Sequence, residues 1–314
     1  MAFETFNIDF MGYRKIAAVI STILVVISIG SLAIFQVNWG LDFTGGSLVE
    51  VEYEESTSPD LIRQQLDAAG YEGHVVQYFG STRDILVRIP PQDNLTVVEN
   101  AELGARIVET LRAATDSNVE LRRTEFVGPA VGDELMNQGG LGMLTALAAV
   151  MLYIAFRFQL KFAIGAVVAL LHDVLITLGV FSIVRWDFDL TVVAALLAVI
   201  GYSLNDTIVV SDRIRENFRK IRRSSPIEII NTSLNQTLGR TLVTSFTTLL
   251  VLFALLILGG EMIRGFAIGL ILGVFIGTYS SIYIAANVLL ALRITKDDLA
   301  IPIKEGAEDP DMMN

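Results

Sequence analysis

The sequence predicts an α-helical polytopic membrane protein with six transmembrane helices and one α+β, ferredoxin-like external domain. Three observations carry this expectation. Of 314 residues, 53% are hydrophobic and only 18% charged, and the mean hydropathy is +0.57; soluble domains lie nearer a quarter charged. Six apolar runs approach or exceed the about 20 residues that a helix needs to cross the hydrocarbon. The charge is also unevenly placed. Residues 37–138 hold 7 of the 23 Lys and Arg and 18 of the 34 Asp and Glu, so the whole formal charge of −11 sits there and the remainder is neutral.

The six runs are 16–36, 139–156, 162–184, 190–211, 241–259 and 265–292. The first is too long for a signal-peptide core, and SLAIFQVN (31–38) offers no small-x-small cleavage site, so it reads as an uncleaved anchor. Basic residues near span ends set orientation. Arg14, Lys15, Arg157, Lys161, Arg213, Arg215, Arg219, Lys220, Arg222, Arg223, Arg240, Arg293, Lys296 and Lys304 fall on one set of segments, against Arg185 and Arg264 on the short opposite loops. This bias assigns residues 1–15 and 293–314 to the cytoplasm and 37–138 to the outside, with 139–292 carrying spans two to six. Trp39 and Trp186 fall at the outer interface, where indole rings concentrate. The tail 295–314, with six acidic residues, reads as disordered.

In the external stretch SLVEVEYE (47–54) alternates as a strand, and Ser58-Pro59 opens a helix that stops at Gly70. HVVQYF (74–79) and DILVRI (84–89) read as strands joined by a GST turn. Residues 95–114 have helical periodicity, and NVELRRTEFV (118–127) alternates again. The order β-α-β-β-α-β is the ferredoxin-like one, an architecture that hosts many functions.

Chemistry-bearing residues are few. With no cysteine and only His74 and His172, neither a thiolate site nor a histidine metal cluster can be assembled, and no nucleophile–base pair or phosphate-binding loop is present. No cofactor, metal or enzymatic activity is expected, and His74 reads as a surface strand residue. Three ionisable residues fall at membrane depth or its edge: His172 and Asp173 in span three, and Asp206 in span four. Each costs about 2.5–3.5 kcal/mol or more at the bilayer centre. Two readings of Asp206 stand side by side: a proton or ion relay, or a structural interhelical hydrogen bond. Thr237, Thr241, Thr244 and Thr248 recur along one face of span five, with Arg240 beside them. Such a stripe offers Asp206 a partner and a water-compatible wall, which favours the relay; Arg240 also serves as a positive-inside anchor. Gly265, Gly269, Gly273 and Gly277 repeat every four residues, a spacing for close packing against another span or a partner. The basic run DRIRENFRKIRR (212–223) reads as an interfacial helix rather than a nucleic-acid site.

Four segments then occur in order on this layout: WGLDFTGG (39–46), ALLHDVLITLG (169–179), GYSLNDTIVVSDRIREN (201–217) and SLNQTLGRTLVTS (233–245). Together they resemble the SecD/SecF family of bacterial protein-export membrane proteins, specifically its smaller, SecF-type subunit, over nearly the whole chain. Ser211 departs from the family's usual phenylalanine and touches no proposed role. The resemblance implies a fold related to resistance–nodulation–division transporters, with this chain as half of a pseudo-symmetric bundle and SecD as the other half. It implies coupling of the proton-motive force to late, ATP-independent steps of preprotein export through SecYEG across the bacterial cytoplasmic (inner) membrane. The implied partners are SecD, SecYEG, unfolded preprotein, membrane lipid and, as a further candidate, YajC. Asp206 matches the family's proton-relay aspartate and Arg240 its coupled arginine. His172, Asp173, Asn205, Thr241 and Thr244 are candidate polar support, and Gly40, Asp42, Gly45 and Gly46 form the motif at the exit of the first helix. Two rival readings remain, a small-molecule efflux half-transporter of the same superfamily and a non-transporting assembly factor.

Overall fold

Residues 14–34 contain no proline and a single glycine, and with no water in hydrocarbon to satisfy the backbone, a helix is the form such a segment takes. The computed structural model describes residues 7–295 and 298, apart from 93, 94, 116 and 222. Helix α1 (Arg14–Ile34) follows a 3₁₀ turn at Met11–Tyr13 and leads to a two-residue strand β1 (Asn38–Trp39) and the short helix α2 (Leu41–Thr44). The external unit then runs β2 (Gly46–Tyr53), α3 (Pro59–Ala68), β3 (Val75–Phe79), β4 (Ser81–Ile89), α4 (Val97–Ala101), α5 (Leu103–Ala113) and β5 (Val119–Val127). Five long helices complete the chain: α6 (Pro129–Arg157), α7 (Leu160–Val184), α8 (Leu190–Lys220), α9 (Pro226–Leu258) and α10 (Arg264–Ala291), with strand β6 (Asp187–Phe188) between α7 and α8. Six helices, α1 and α6–α10, are long and apolar enough to cross a membrane.

The four-stranded sheet has the order β3-β4-β2-β5 with every neighbour antiparallel, the ferredoxin-like arrangement. Val49, Val51, Ile85, Val87, Ile62, Leu66, Ile107 and Leu111 are fully buried between the sheet and its helices; each contributes about 1.5–3 kcal/mol by leaving water. The opposite sheet face carries Leu48, Glu50 and Arg88 toward the bundle end. The helix expected over 95–114 is two helices meeting at Glu102, and Thr96 and Glu99 form a capping box that starts the first. The β3–β4 turn is tighter than expected, with Gly80 alone at a positive φ of 82° between Phe79 and Ser81.

Within the bundle α10 lies against α7, α8 and α9. At Gly179 of α7 an added Cβ would meet Ser28 Cα of α1 at 2.7 Å, and Ser31 and Ser182 share a 2.8 Å hydrogen bond nearby. Small residues let these two backbones approach, as in other membrane bundles. By contrast, α6 and α9 turn apolar faces outward, with Phe156, Ile257 and Leu258 at 85%, 77% and 83% exposure.

Two further expectations change. The helices overrun the expected spans: α6 begins at Pro129 inside the stretch assigned to the external domain, and α9 begins at Pro226. The basic run 212–223 is not an interfacial helix through its length. Residues 212–220 continue α8, where Ile214 and Phe218 are buried in the same cluster as Ile229, Ile230 and Leu234 of α9. Its apolar residues face a neighbouring helix, so that face is not available to lipid. Most of the tail 295–314 lies outside the described residues.

Candidate functional site

Asp206 lies on α8 and is 3% exposed; its Oδ2 is buried and receives no hydrogen bond. Two sets of cross-helix bonds fix how α8 and α9 pass each other. The Tyr202 hydroxyl donates to Ser245 Oγ at 3.0 Å, and Asn217 Nδ2 donates to Ser233 Oγ and Gln236 Oε1, both at 2.8 Å. The helices are antiparallel, so one turn on from Tyr202 is one turn back from Ser245, and Asp206 is level with Thr241. The Thr241 hydroxyl is buried without a partner, as is that of Thr207 beside Asp206. Arg240 is exposed on α9, next in sequence to Thr241, and no ion pair joins it to Asp206 among the described residues. Asn205, adjacent in sequence, is exposed and turned away.

The threonine stripe differs from the wall its spacing predicts. Thr237 donates to Ser233 O (3.1 Å), Thr244 to Thr241 O (3.0 Å) and Thr248 to Thr244 O (2.8 Å), each within α9. A helical threonine readily back-bonds in this way, so of the four only Thr241 keeps an uncommitted hydroxyl. A carboxylate held without a donor in a low-dielectric bundle is costly to keep charged. Binding a proton removes that cost.

Asp173 has the opposite surroundings. It is fully buried; its Oδ2 accepts from Ser203 Oγ of α8 (2.5 Å) and Ser280 Oγ of α10 (2.7 Å), and its Oδ1 lies 2.9 Å from His172 Nδ1. The His172 ring stacks on Tyr279, with centroids 6.2 Å apart, and the Tyr279 hydroxyl donates to Ala17 O of α1 at 2.8 Å. Asp173 thus ties α7 to α8 and α10, one turn from Asp206. The serines and Tyr279 escaped the sequence reading; Ser280 continues the small-residue face of Gly265–Gly277, which is the one signal that pointed to it. That glycine face packs on α8, where Cβ atoms added at Gly265, Gly269, Gly273 and Gly277 would meet Val192, Ala195, Val199 and Ser203 at 3.0, 3.1, 2.0 and 3.1 Å.

The motif at the exit of α1 is a junction. β1 pairs in parallel with β6, and Gly40 N–H donates to Phe188 O at 2.9 Å. A Cβ on Gly40 would meet Asp189 Cβ at 3.0 Å. Asp42 Oδ2 accepts from Leu190 N at 3.0 Å, adding to the Asp189 cap at the start of α8. Gly45 and Gly46 have φ of 67° and 116°, and a Cβ on Gly46 would lie 2.3 Å from Ile89 O, so glycine is required where the chain enters β2. Asp187, in β6, accepts from Asn38 Nδ2 (2.5 Å) and pairs with Arg88 of β4 (3.4 Å). Burial pushes its carboxyl above the usual carboxylate range, Asp189 adds to that push, and Arg88 opposes it.

Residues 107–295 match the family described as Protein export membrane protein SecD/SecF, C-terminal, and residues 30–57 match the SecD/SecF GG Motif. The chain belongs to the SecD/SecF family. Relatives named Protein translocase subunit SecF are 52% identical in Vibrio alginolyticus over 308 residues (98% of this chain, 97% of that one) and 45% identical in Escherichia coli O157:H7 over 307 residues (97% and 94%). Among solved structures, SecDF from Thermus thermophilus, titled a translocon-associated membrane protein, matches with a TM-score of 0.83 at 34% identity. A SecDF structure in a super-membrane-facing form matches with a TM-score of 0.68 at 36% identity. Each covers 93% of this chain, which spans 40% of the SecDF chain. The SecD/SecF segments contain the exit-motif glycines, Asp173, Asp206, Arg240 and the α10 glycine face.

Proposed function

We propose that this chain is the SecF-type subunit of a bacterial protein translocase accessory complex, and that it couples the proton-motive force to late steps of preprotein export. Its partners in this reading are a SecD-type subunit, the SecYEG channel and the unfolded preprotein, with YajC as a further candidate. The observation that carries the reading is the environment of Asp206: a carboxylate in the bundle whose buried Oδ2 has no hydrogen-bond donor, level with the free hydroxyl of Thr241 and with Arg240 next to that threonine in sequence. Each elementary charge that crosses the membrane potential releases about 2.3 kcal/mol per 100 mV. A cycle of protonation at Asp206 followed by altered interaction with Arg240 directs that energy into helix movement, with no covalent chemistry.

The relatives' names support the assignment to a translocase. The basic residues support an inner-membrane orientation with both termini cytoplasmic and residues 37–138 periplasmic. Asn231 and Asn235 at the start of α9 donate to the backbone carbonyl of Ile8, and Asn217 near the end of α8 donates to Ser233 and Gln236 of α9, so this end of the bundle gathers the N-terminus with the basic segments. The outward apolar faces of α6 and α9 fit lipid or a second six-helix half.

The test is secretion of a model preprotein by cells whose only copy carries Asp206→Asn, with the membrane abundance of the variant and its SecD partner measured alongside. Asparagine keeps shape and hydrogen-bonding capacity but cannot gain and lose a proton at this site. The expected result is export reduced to the deletion level with a normally assembled complex. Unchanged export makes Asp206 a structural group and favours the assembly-factor reading.

A further inference from the structure

Helix α8 runs unbroken from Leu190 to Lys220, so Asp206 and the junction lie on one rod, about 24 Å apart at 1.5 Å per residue. The start of that rod is held from outside the bundle. Asp42 accepts from Leu190 N–H, Gly40 bonds Phe188, and Trp39, Phe43 and Phe188 stack edge-on or face-on with centroids 5.5–6.2 Å apart. From the external sheet, one side chain that reaches the same point is Arg88. Arg88, on β4, places Nη1 3.4 Å from Asp187 Oδ1 and 3.3 Å from Trp39 O, with its side chain 17% exposed. A cleft of about 530 Å³ separates Leu48, Leu86 and Arg123 on the sheet from Phe181, Trp186 and Met262 at the bundle end, and Arg88 and Asp187 form part of its wall.

We propose that the Arg88–Asp187 pair is the coupling contact between bundle and external domain: it fastens a central strand to the turn that feeds α8, so that movement of α8 tilts the domain across the cleft. The proposal rests on the charge-cycle reading of Asp206 and names the place where that cycle leaves the membrane. A half-buried, hydrogen-bonded ion pair suits this role, since breaking it leaves a partner without its counter-charge, and the open cleft gives the sheet room to move. Arg88 and Asp187 act as positioning residues; neither touches the proton.

The experiment uses the full chain with its SecD partner in cells. Arg88→Ala and Asp187→Asn are each expected to lower export several-fold at normal membrane abundance and unchanged protease resistance of the external domain. Arg88→Lys should recover most of the loss, and the double variant should be no worse than either single one, as befits two halves of one contact. The chain has no native cysteine, so spin labels at Thr82→Cys and Ile183→Cys report the domain–bundle distance directly. Asp206→Asn should shift that distance when Arg88 is present and leave it fixed in Arg88→Ala. Wild-type export by Arg88→Ala and Asp187→Asn, or a shift that survives Arg88→Ala, overturns the coupling contact. Asp206→Asn run in parallel separates the two ideas: export lost there while Arg88→Ala exports normally sinks the contact and leaves the relay standing. Export unaffected by Asp206→Asn removes the relay itself, and with it this proposal.

Discussion

Asp173 and Asp206 lie on facing helices, yet their surroundings differ. Asp173 takes hydroxyl bonds from Ser203 and Ser280 and lies against His172, whereas the buried Oδ2 of Asp206 takes none. The two should therefore respond oppositely to mutation. Asp173→Ala strips the acceptor from two buried hydroxyls and should lower the thermal stability of the purified protein, by about 1–3 kcal/mol. Asp206→Asn removes a buried charge without breaking a bond and should leave the melting temperature unchanged or raised. Thermal unfolding of both variants in detergent checks the contrast, and a larger loss for Asp206→Asn would reverse the assignment of roles. Both carboxylates could be read from the sequence as intramembrane charges. Which one is satisfied could not, because the donors to Asp173 come from helices 30 and 107 residues away in the chain.

Helices α8 and α10 pack closely, and the cause is a ridge of glycines. A Cβ at Gly273 would fall 2.0 Å from Val199 Cγ2 and 2.7 Å from Cγ1, so Gly273→Ala forces α10 away from α8. Overpacking of this kind typically costs about 1–3 kcal/mol. The expected outcome is a lowered melting temperature for Gly273→Ala that Val199→Ala largely restores, since the second substitution removes the obstructing methyls. Full additivity of the two losses would show that the clash is relieved elsewhere. The four-residue glycine repeat announced close packing; the matching positions Val192, Ala195, Val199 and Ser203 carry no comparable signature among the apolar residues of α8. Strands β1 and β6 were illegible for a different reason: two residues are too few to show a period, and each strand exists through the other.

Across the whole molecule, the acidic charge of residues 37–138 and the basic segments at the far end of the bundle define a polarity that composition alone made visible. The absence of cysteine makes the proposed orientation directly measurable. Ser81→Cys, exposed at the start of β4, should react with a membrane-impermeant maleimide from the periplasmic side, and Lys220→Cys, exposed at the end of α8, only after the membrane is opened. The reverse pattern would invert the topology. The cleft below the sheet was not foreseeable, because it depends on how far the junction at Gly40, Asp42 and Asp187 holds the sheet from the bundle, and that distance is set by contacts between remote parts of the chain. A proton moving on and off Asp206 is the proposed source of helix movement. Proton entry into vesicles reconstituted with the complete complex, followed by an internal pH-sensitive dye under an imposed membrane potential, tests this at its origin. Proton entry is expected with the natural chain and none above background with Asp206→Asn in an equally assembled complex; equal entry in both would remove the relay.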